Sequence, residues 1–227
     1  MTSVSHGKPC AGNPHARFEE GASAPESPRR NALLHNRLIT GVLITVTALM
    51  AEAKPLVVYF SHTGENYAVG NIATGNTAKV ALEIAAQTGA DIWEIKEKTA
   101  YPTSYDACVA LAKKELAAGA RPEFVGTAPD LANYDCLYLG YPNWWGDAPM
   151  IVYSFLDKAA IGGKTIYPFC THEGSGLGST ARSLATAYPK SKVEPRGLGL
   201  RGKTAQTDAA ATKTAVADWL KRLGLAK

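Results

Sequence analysis

The sequence predicts an α/β fold, a doubly wound parallel sheet of five strands with helices on both faces. Three observations predict it. Short, continuously apolar runs rich in β-formers recur along the chain, and stretches with apolar residues at helical spacing follow them. The strand ends run into the most unusual loops in the sequence. A continuous apolar run marks a strand buried on both sides, and regular strand–helix alternation is how a parallel sheet covers both its faces.

The first run is Leu56-Val-Val-Tyr-Phe60, which ends in the polar Ser61-His-Thr-Gly64. Val80, Ala81, Ile84 and Ala85 then fall on one helical face between Thr77 and Gln87, and Gly89 closes that helix. Asp91-Ile-Trp-Glu-Ile95 alternates as a second strand, and residues 104–118 read as a helix carrying Ala107, Val109, Leu111 and Leu116. Cys136–Leu139 is a third strand, followed by a helix over Met150–Lys158. Thr165–Cys170 is a fourth strand, followed by a helix over Ser179–Ala187. A last strand near Val193–Leu200 precedes a helix over Ala209–Leu223. In open sheets of this type, ligands bind beyond the carboxyl ends of the strands, where strand order reverses.

Three loops occupy those ends. Residues 61–77 are dense in hydroxyls, glycine and asparagine, and they open into a helix whose N-terminus offers free N–H groups and a favourable dipole to an anion. Ser61, Thr63, Asn76 and Thr77 are neutral donors for phosphate oxygens. Gly70-Asn-Ile-Ala-Thr-Gly-Asn-Thr77 fits the phosphate-loop pattern GxxxxGK[ST] except at the lysine, where Asn76 stands. That absence argues against nucleoside triphosphate hydrolysis. Tyr141-Pro-Asn-Trp-Trp-Gly-Asp147 places two tryptophans on a proline-flanked turn, suited to a flat aromatic ligand, with one of the two expected to pack over the sheet. Thr171-His-Glu-Gly-Ser-Gly-Leu-Gly178 is glycine-rich and lets backbone approach a ligand closely. Ser175 is no hydrolase nucleophile, because the GxSxG elbow requires glycine where Glu173 stands. His172 reads as a structural hydrogen-bonding residue, with a proton donor as the alternative.

At these residues the chain resembles the flavodoxin family, in particular bacterial members with an extended first loop. The likeness rests on Tyr59-Phe-Ser-His-Thr-Gly64, Gly75-Asn-Thr-Ala-Lys-Val-Ala81, Gly140-Tyr-Pro-Asn-Trp-Trp-Gly146 and Cys170-Thr-His-Glu-Gly-Ser-Gly-Leu-Gly178. It spans about Lys54 to Lys227 and implies the strand order 2-1-3-4-5, FMN as cofactor and electron transfer as function. On that resemblance Ser61, Thr63, Gly64, Asn76 and Thr77 hold the FMN phosphate, with Glu65–Gly75 inserted between the two halves of the motif. Pro142, Asn143, Trp144, Trp145 and Gly146, with Thr171, His172, Glu173, Gly174, Ser175 and Gly176, sandwich the isoalloxazine. Trp145-Gly146-Asp147 is similar to the family turn whose peptide flips on one-electron reduction.

Function within the fold stays open between a carrier serving a redox partner protein and an NAD(P)H-dependent reductase of a small quinone-like acceptor or flavin. A flavin-binding protein without redox partners is a third class. The full chain holds 24 Lys and Arg against 20 Asp and Glu. Removing five basic and three acidic residues before position 50 leaves 19 against 17, a net +2. That weakens an acidic carrier steered by charge. No long basic run or aromatic–basic alternation supports nucleic-acid binding. Cys10, Cys108, Cys136 and Cys170 show no zinc or disulfide spacing, and Cys136 and Cys170 read as buried core residues.

Residues 1–53 read as a disordered extension or signal-like segment, with residues 54–227 as the domain. The apolar stretch Leu38–Met50 is too short for a confident membrane span, so no stable membrane insertion is expected. A cytoplasmic product is expected. The alternative is export, with cleavage near the Ala51-Glu-Ala53 triplet.

Overall fold

The computed structural model describes residues 54–226. The readings of residues 1–53 lie outside these residues. Strand β1 (Lys54–Tyr59) leads to a short hairpin, β2 (Gly64–Asn66) and β3 (Gly70–Ile72), and then to α1 (Asn76–Thr88). Next come β4 (Asp91–Glu94), α2 (Tyr105–Ala118), β5 (Tyr134–Pro142), α3 (Met150–Lys158), β6 (Thr165–His172) and α4 (Thr180–Ala187). Two short strands, β7 (Lys192–Val193) and β8 (Leu198–Arg201), precede α5 (Gly202–Thr207) and α6 (Ala209–Leu223).

The main sheet runs β4-β1-β5-β6-β7, with β8 also on β6, and each pairing is parallel. This is the expected doubly wound order, with one correction at its edge. The single last strand expected over Val193–Leu200 is two pieces, pairing Thr165–Ile166 and Phe169–His172 of β6. Pro195 lies between them and has no N–H to give a ladder, so the pairing is interrupted there.

Side chains alternate across β1, as the period of a strand requires. Leu56, Val58 and Phe60 join one core with Leu137, Leu139 and Tyr141 of β5, the α3 residues Ile151, Val152 and Phe155, and Leu184 of α4. Val57 and Tyr59 face the other way, against Val80, Ala81 and Ile84 of α1 and Val216, Trp219 and Leu220 of α6. Trp219 is wholly buried, and its Nε1 donates to the Arg196 carbonyl at 2.8 Å. Truncating such a side chain to alanine costs about 3–5 kcal/mol. Helix α2 is bound less deeply: Cys108 and Ala112 are buried, whereas Ala107 and Leu116, expected on its apolar face, are exposed.

Strand order reverses between β1 and β5, because the chain leaves β1 for β4 on one side and returns to β5 on the other. The loops after β1, β5 and β6 therefore rise from neighbouring strand ends. No helix among the described residues is long and apolar enough to cross a membrane.

Candidate functional site

Those loops frame a cleft of about 320 Å³ at the carboxyl end of the sheet, within the size range of small-molecule sites. Half of the residues expected at the site line it: Asn76, Pro142, Asn143 and Trp144, with Trp145, Thr171, His172 and Glu173. The register explains the meeting of the second and third loops. Pro142 pairs with Thr171 across β5 and β6, and the Asn143 N–H donates to the Thr171 carbonyl at 2.8 Å. The first loop enters through the start of α1, where Asn76 is the first helical residue.

The other expected residues do not line it. Ser61 Oγ accepts from the Ala78 N–H at 3.0 Å, so it caps the first turn of α1 across the loop. Thr77 and Thr171 are both buried and join their hydroxyls at 2.8 Å, tying α1 to β6. Thr63 is exposed, and Gly64 is buried as the opening residue of β2. Gly174 and Ser175 are exposed; the Gly174 N–H donates to His172 Nδ1 at 2.9 Å. The Gly176 carbonyl accepts from Asn143 Nδ2 at 2.7 Å and from Cys170 Sγ at 3.1 Å, bracing the third loop against the second.

Gly146 belongs to a tight turn in which Trp144 and Asp147 exchange backbone hydrogen bonds of 2.9 and 3.2 Å. Trp145 (φ 57°) and Gly146 (φ 84°) are both left-handed, the pattern of a type I′ turn. The Gly146 N–H donates to Asn143 Oδ1 at 3.0 Å, and its carbonyl accepts from Ser179 N and Oγ at 2.7 and 3.1 Å. Turning the Gly146–Asp147 peptide breaks three hydrogen bonds, both from Ser179 and the one from Asp147 to Trp144. The Trp145–Gly146 peptide is held through the Asn143 side chain.

The two tryptophans do different work. Trp144 packs edge-on against Phe60, His62 and Tyr101 at 5.6, 5.7 and 5.0 Å, so it roots the second loop in the core. Trp145 is 50% exposed, donates from Nε1 to the Val109 carbonyl at 3.0 Å and carries the Lys113 ammonium 5.0 Å from its ring.

Sequence reasoning missed several lining residues. His62, between the two hydroxyl residues it did select, is buried and lines the cleft. Burial holds its imidazole below the ordinary value, so it is neutral near pH 7. The inserted segment after Gly64 is a hairpin that brings Glu65, Asn66 and Tyr67 to the cleft. Glu65 fixes it to α2: its N–H donates to the Thr103 carbonyl at 2.8 Å, and its Oε2 accepts from the Tyr105 N–H at 3.0 Å. Tyr67 leans on Tyr105 with ring centroids 5.9 Å apart. Among the described residues, Tyr67, Tyr105 and Trp145 are the exposed large aromatics, and all three line this one cleft.

Cys108 also lines the cleft, but burial first, then Glu115 and Glu97, push its thiol up to about 12. It is no thiolate near neutral pH. Burial likewise pulls His172 below its ordinary value, with Glu173 opposing. Of the two thiols expected in the core, Cys170 is buried and Cys136 is half-buried.

A family model described as flavodoxin matches residues 54–223. A crystal structure from Bacteroides uniformis ATCC 8492, described as that of a flavoprotein, is 28% identical, with a TM-score of 0.61 over 74% of this chain and 98% of that one. A second so described, from Bacteroides eggerthii DSM 20697, is also 28% identical, with a TM-score of 0.60 over 76% of this chain and 98% of that one. A flavoprotein in complex with FMN from Lactobacillus acidophilus NCFM shares the fold at 19% identity, with a TM-score of 0.51 over 67% of this chain and 95% of that one. No curated protein matches the chain.

Proposed function

Because this chain belongs to the flavodoxin family, we propose that it binds FMN non-covalently in the cleft and serves in electron transfer. The observation that carries this reading is the convergence of three loops, remote in sequence, on one cleft at the point where strand order reverses. That a protein of this fold holds FMN supports it.

The residues present fit the cofactor. The cap position of α1 is Gly75, with no side-chain acceptor, so a phosphate is the natural partner for N–H groups of the first turn at Asn76 and Thr77. A Cβ at Gly75 would lie 2.5 Å from the His62 carbonyl, so only glycine lets the two ends of the first loop close this tightly. Trp144 and Trp145 offer flat faces from the second loop, and Thr171–Glu173 bound the cleft from the third. His62 Nε2 and Asn76 Oδ1 are buried without hydrogen-bond partners among the described residues, as befits a site completed by a ligand. When bound, FMN supplies one- and two-electron redox chemistry. The chain binds and orients it, and the hairpin and α2 wall it from water on one side.

The test is direct. The purified protein should show a flavin absorbance spectrum, or acquire one on incubation with FMN and retain it through gel filtration. A sample that stays colourless removes the reading.

A second reading is an NAD(P)H-dependent quinone or flavin reductase. It is favoured by the three exposed aromatic rings at the mouth, which suit a flat second reactant, and by the absence of strong acidic charge. Rapid NADH or NADPH oxidation with a quinone acceptor supports the reductase. No turnover but fast exchange with a flavodoxin reductase supports the carrier, and neither points to flavin binding alone.

A further inference from the structure

The wall built by the hairpin and α2 differs in kind from the rest of the cleft. Tyr105, Val109 and Ala112 line it from α2, and their spacing puts them on one face of the helix. Tyr67 meets the Tyr105 ring with centroids 5.9 Å apart, and Trp145 is bonded to the Val109 carbonyl one turn further along. Tyr67, Tyr105 and Trp145 thus follow one another along a single helix face, 64%, 36% and 50% exposed. Isolated exposed apolar side chains are ordinary, but three large rings gathered along one cleft mark a surface that another molecule covers.

Charge narrows what that molecule is. The chain is slightly basic, with 24 Lys and Arg against 20 Asp and Glu, yet the cleft is not. Among the described residues its lining holds two carboxylates, Glu65 and Glu173, and neither lysine nor arginine. Burial holds His62 and His172 below their ordinary values, so both are neutral near pH 7. Glu173 Oε1 accepts from the Lys203 N–H at 2.7 Å. Glu65 is exposed and accepts from the Tyr105 N–H through Oε2, which leaves Oε1 for an incoming group. The π faces of aromatic rings attract cations. Trp145 already does so, carrying the Lys113 ammonium, and Lys113 itself does not line the cleft.

We propose that Glu65, Tyr67, Tyr105 and Trp145 form a subsite for a flat organic cation of the N-alkylated pyridinium or quinolinium class. The rings supply stacking surface, and the carboxylate answers the charge. On the flavin reading above, the cofactor ring lies between the second and third loops, and the hairpin wall is left for a different molecule. The subsite is made of this chain's own side chains and stands apart from that reading.

Three probes of similar shape and different charge test it at about pH 7.5: the 1-methylquinolinium cation, neutral 4-methylquinoline and the quinoline-4-carboxylate anion. Their dissociation constants are measured by isothermal titration calorimetry on the full chain, with and without added FMN. The expected order is the cation tightest, by about tenfold over the neutral ring, and the anion weakest. Glu65→Gln keeps an acceptor for the Tyr105 N–H and removes the charge. It should weaken the cation about fivefold and leave the neutral ring unchanged. Tyr67→Leu keeps apolar bulk without a π face, and it should weaken the cation more than the neutral ring. Asp106→Asn removes an exposed carboxylate from the same turn of α2, outside the cleft lining, and should change neither.

Equal binding of cation and neutral ring overturns the proposal. So does an Asp106→Asn loss equal to that of Glu65→Gln, which would mean diffuse surface charge. Cation binding abolished by FMN would make this wall part of the cofactor's own seat, and it overturns the proposal as well. Thermal melts identify a variant that fails to fold, in which case the other variant decides. Failure to take up FMN sinks the flavin reading alone, because the probes then report on the subsite in the FMN-free protein.

Discussion

Gly75→Ala is expected to destabilise the protein by about 2–3 kcal/mol, although its backbone alone favours the change. Gly75 has φ −65° and ψ 153°, which any residue adopts, so alanine should stabilise by about 0.4–1 kcal/mol through the unfolded chain. Against this, the new Cβ would lie 2.5 Å from the His62 carbonyl and closer still to Ser61 Oγ. Overpacking against backbone costs about 1–3 kcal/mol. Displacing Ser61 also loosens its bond to the Ala78 N–H, a capping interaction of about 1 kcal/mol. For a domain of this size, the net corresponds to a Tm lower by about 5–10 °C. Gly162→Ala is the control: its φ is not in the left-handed region, and its Cβ would meet nothing nearer than Lys190 Cβ at 3.9 Å. Chemical denaturation of both variants without added ligand is the assay. If Gly75→Ala is as stable as the wild type, the tight closure of the first loop's two ends is not what the geometry says it is.

Trp144→Ala should cost about 3 kcal/mol for its packing against Phe60, His62 and Tyr101, while Trp145→Ala costs about 1 or less; urea denaturation reads the difference. Thr77→Val should cost about 1–3 kcal/mol by stranding the Thr171 hydroxyl, and Thr77→Val with Thr171→Val should recover most of it; an additive double variant refutes the pairing. His62 has a depressed pKa in the folded protein and titrates near 6.5 when unfolded. Its contribution is therefore present above pH 6.5 and is lost as pH falls through the folded value. His62→Phe should flatten the stability profile between pH 7.5 and 5.5, though only in part, since His172 shifts the same way. Gly146→Ala places a Cβ at φ 84° in open space, for a strain of about 1 kcal/mol. A redox titration of the flavin-loaded variant should show less of the one-electron-reduced form, and an unchanged titration removes a role for this turn.

The sheet was legible because its strands are buried on both faces, so Leu56–Phe60 and Cys136–Leu139 stand out as unbroken apolar runs. The helices over Met150–Lys158 and Ala209–Leu223 were bounded to the residue. The hairpin was not legible: its strands are three residues long, too short for alternation to register, and its glycine and asparagine read equally well as loop. Helix α5 escaped notice because it is six residues long and, beyond its opening glycine, buries only Ala205. At the site, loop position was readable but side-chain commitment was not. Nothing in Ser61-His-Thr-Gly shows that Ser61 would cap a helix while His62 turned to the cleft. Thr77 and Thr171 lie 94 positions apart, and a bond at that separation belongs to the fold rather than to either motif. Tyr67 and Tyr105 meet at the cleft where Glu65 clamps the hairpin to the start of α2.

That clamp separates two kinds of change in the hairpin. Its backbone mounting lies in Gly64, packed close on Thr103, and in Glu65, bonded to Thr103 and Tyr105, while Tyr67 adds a ring contact to Tyr105. Its tip, Tyr67 to Val69, crosses over with one long backbone bond, Val69 to Asn66, and a left-handed Ala68. Substitutions or added residues at the tip can alter what meets an incoming molecule while the mounting stays fixed. A change at the anchor moves α2 instead, and with it the width of the opening. Selectivity and aperture can thus drift independently within one eleven-residue insertion.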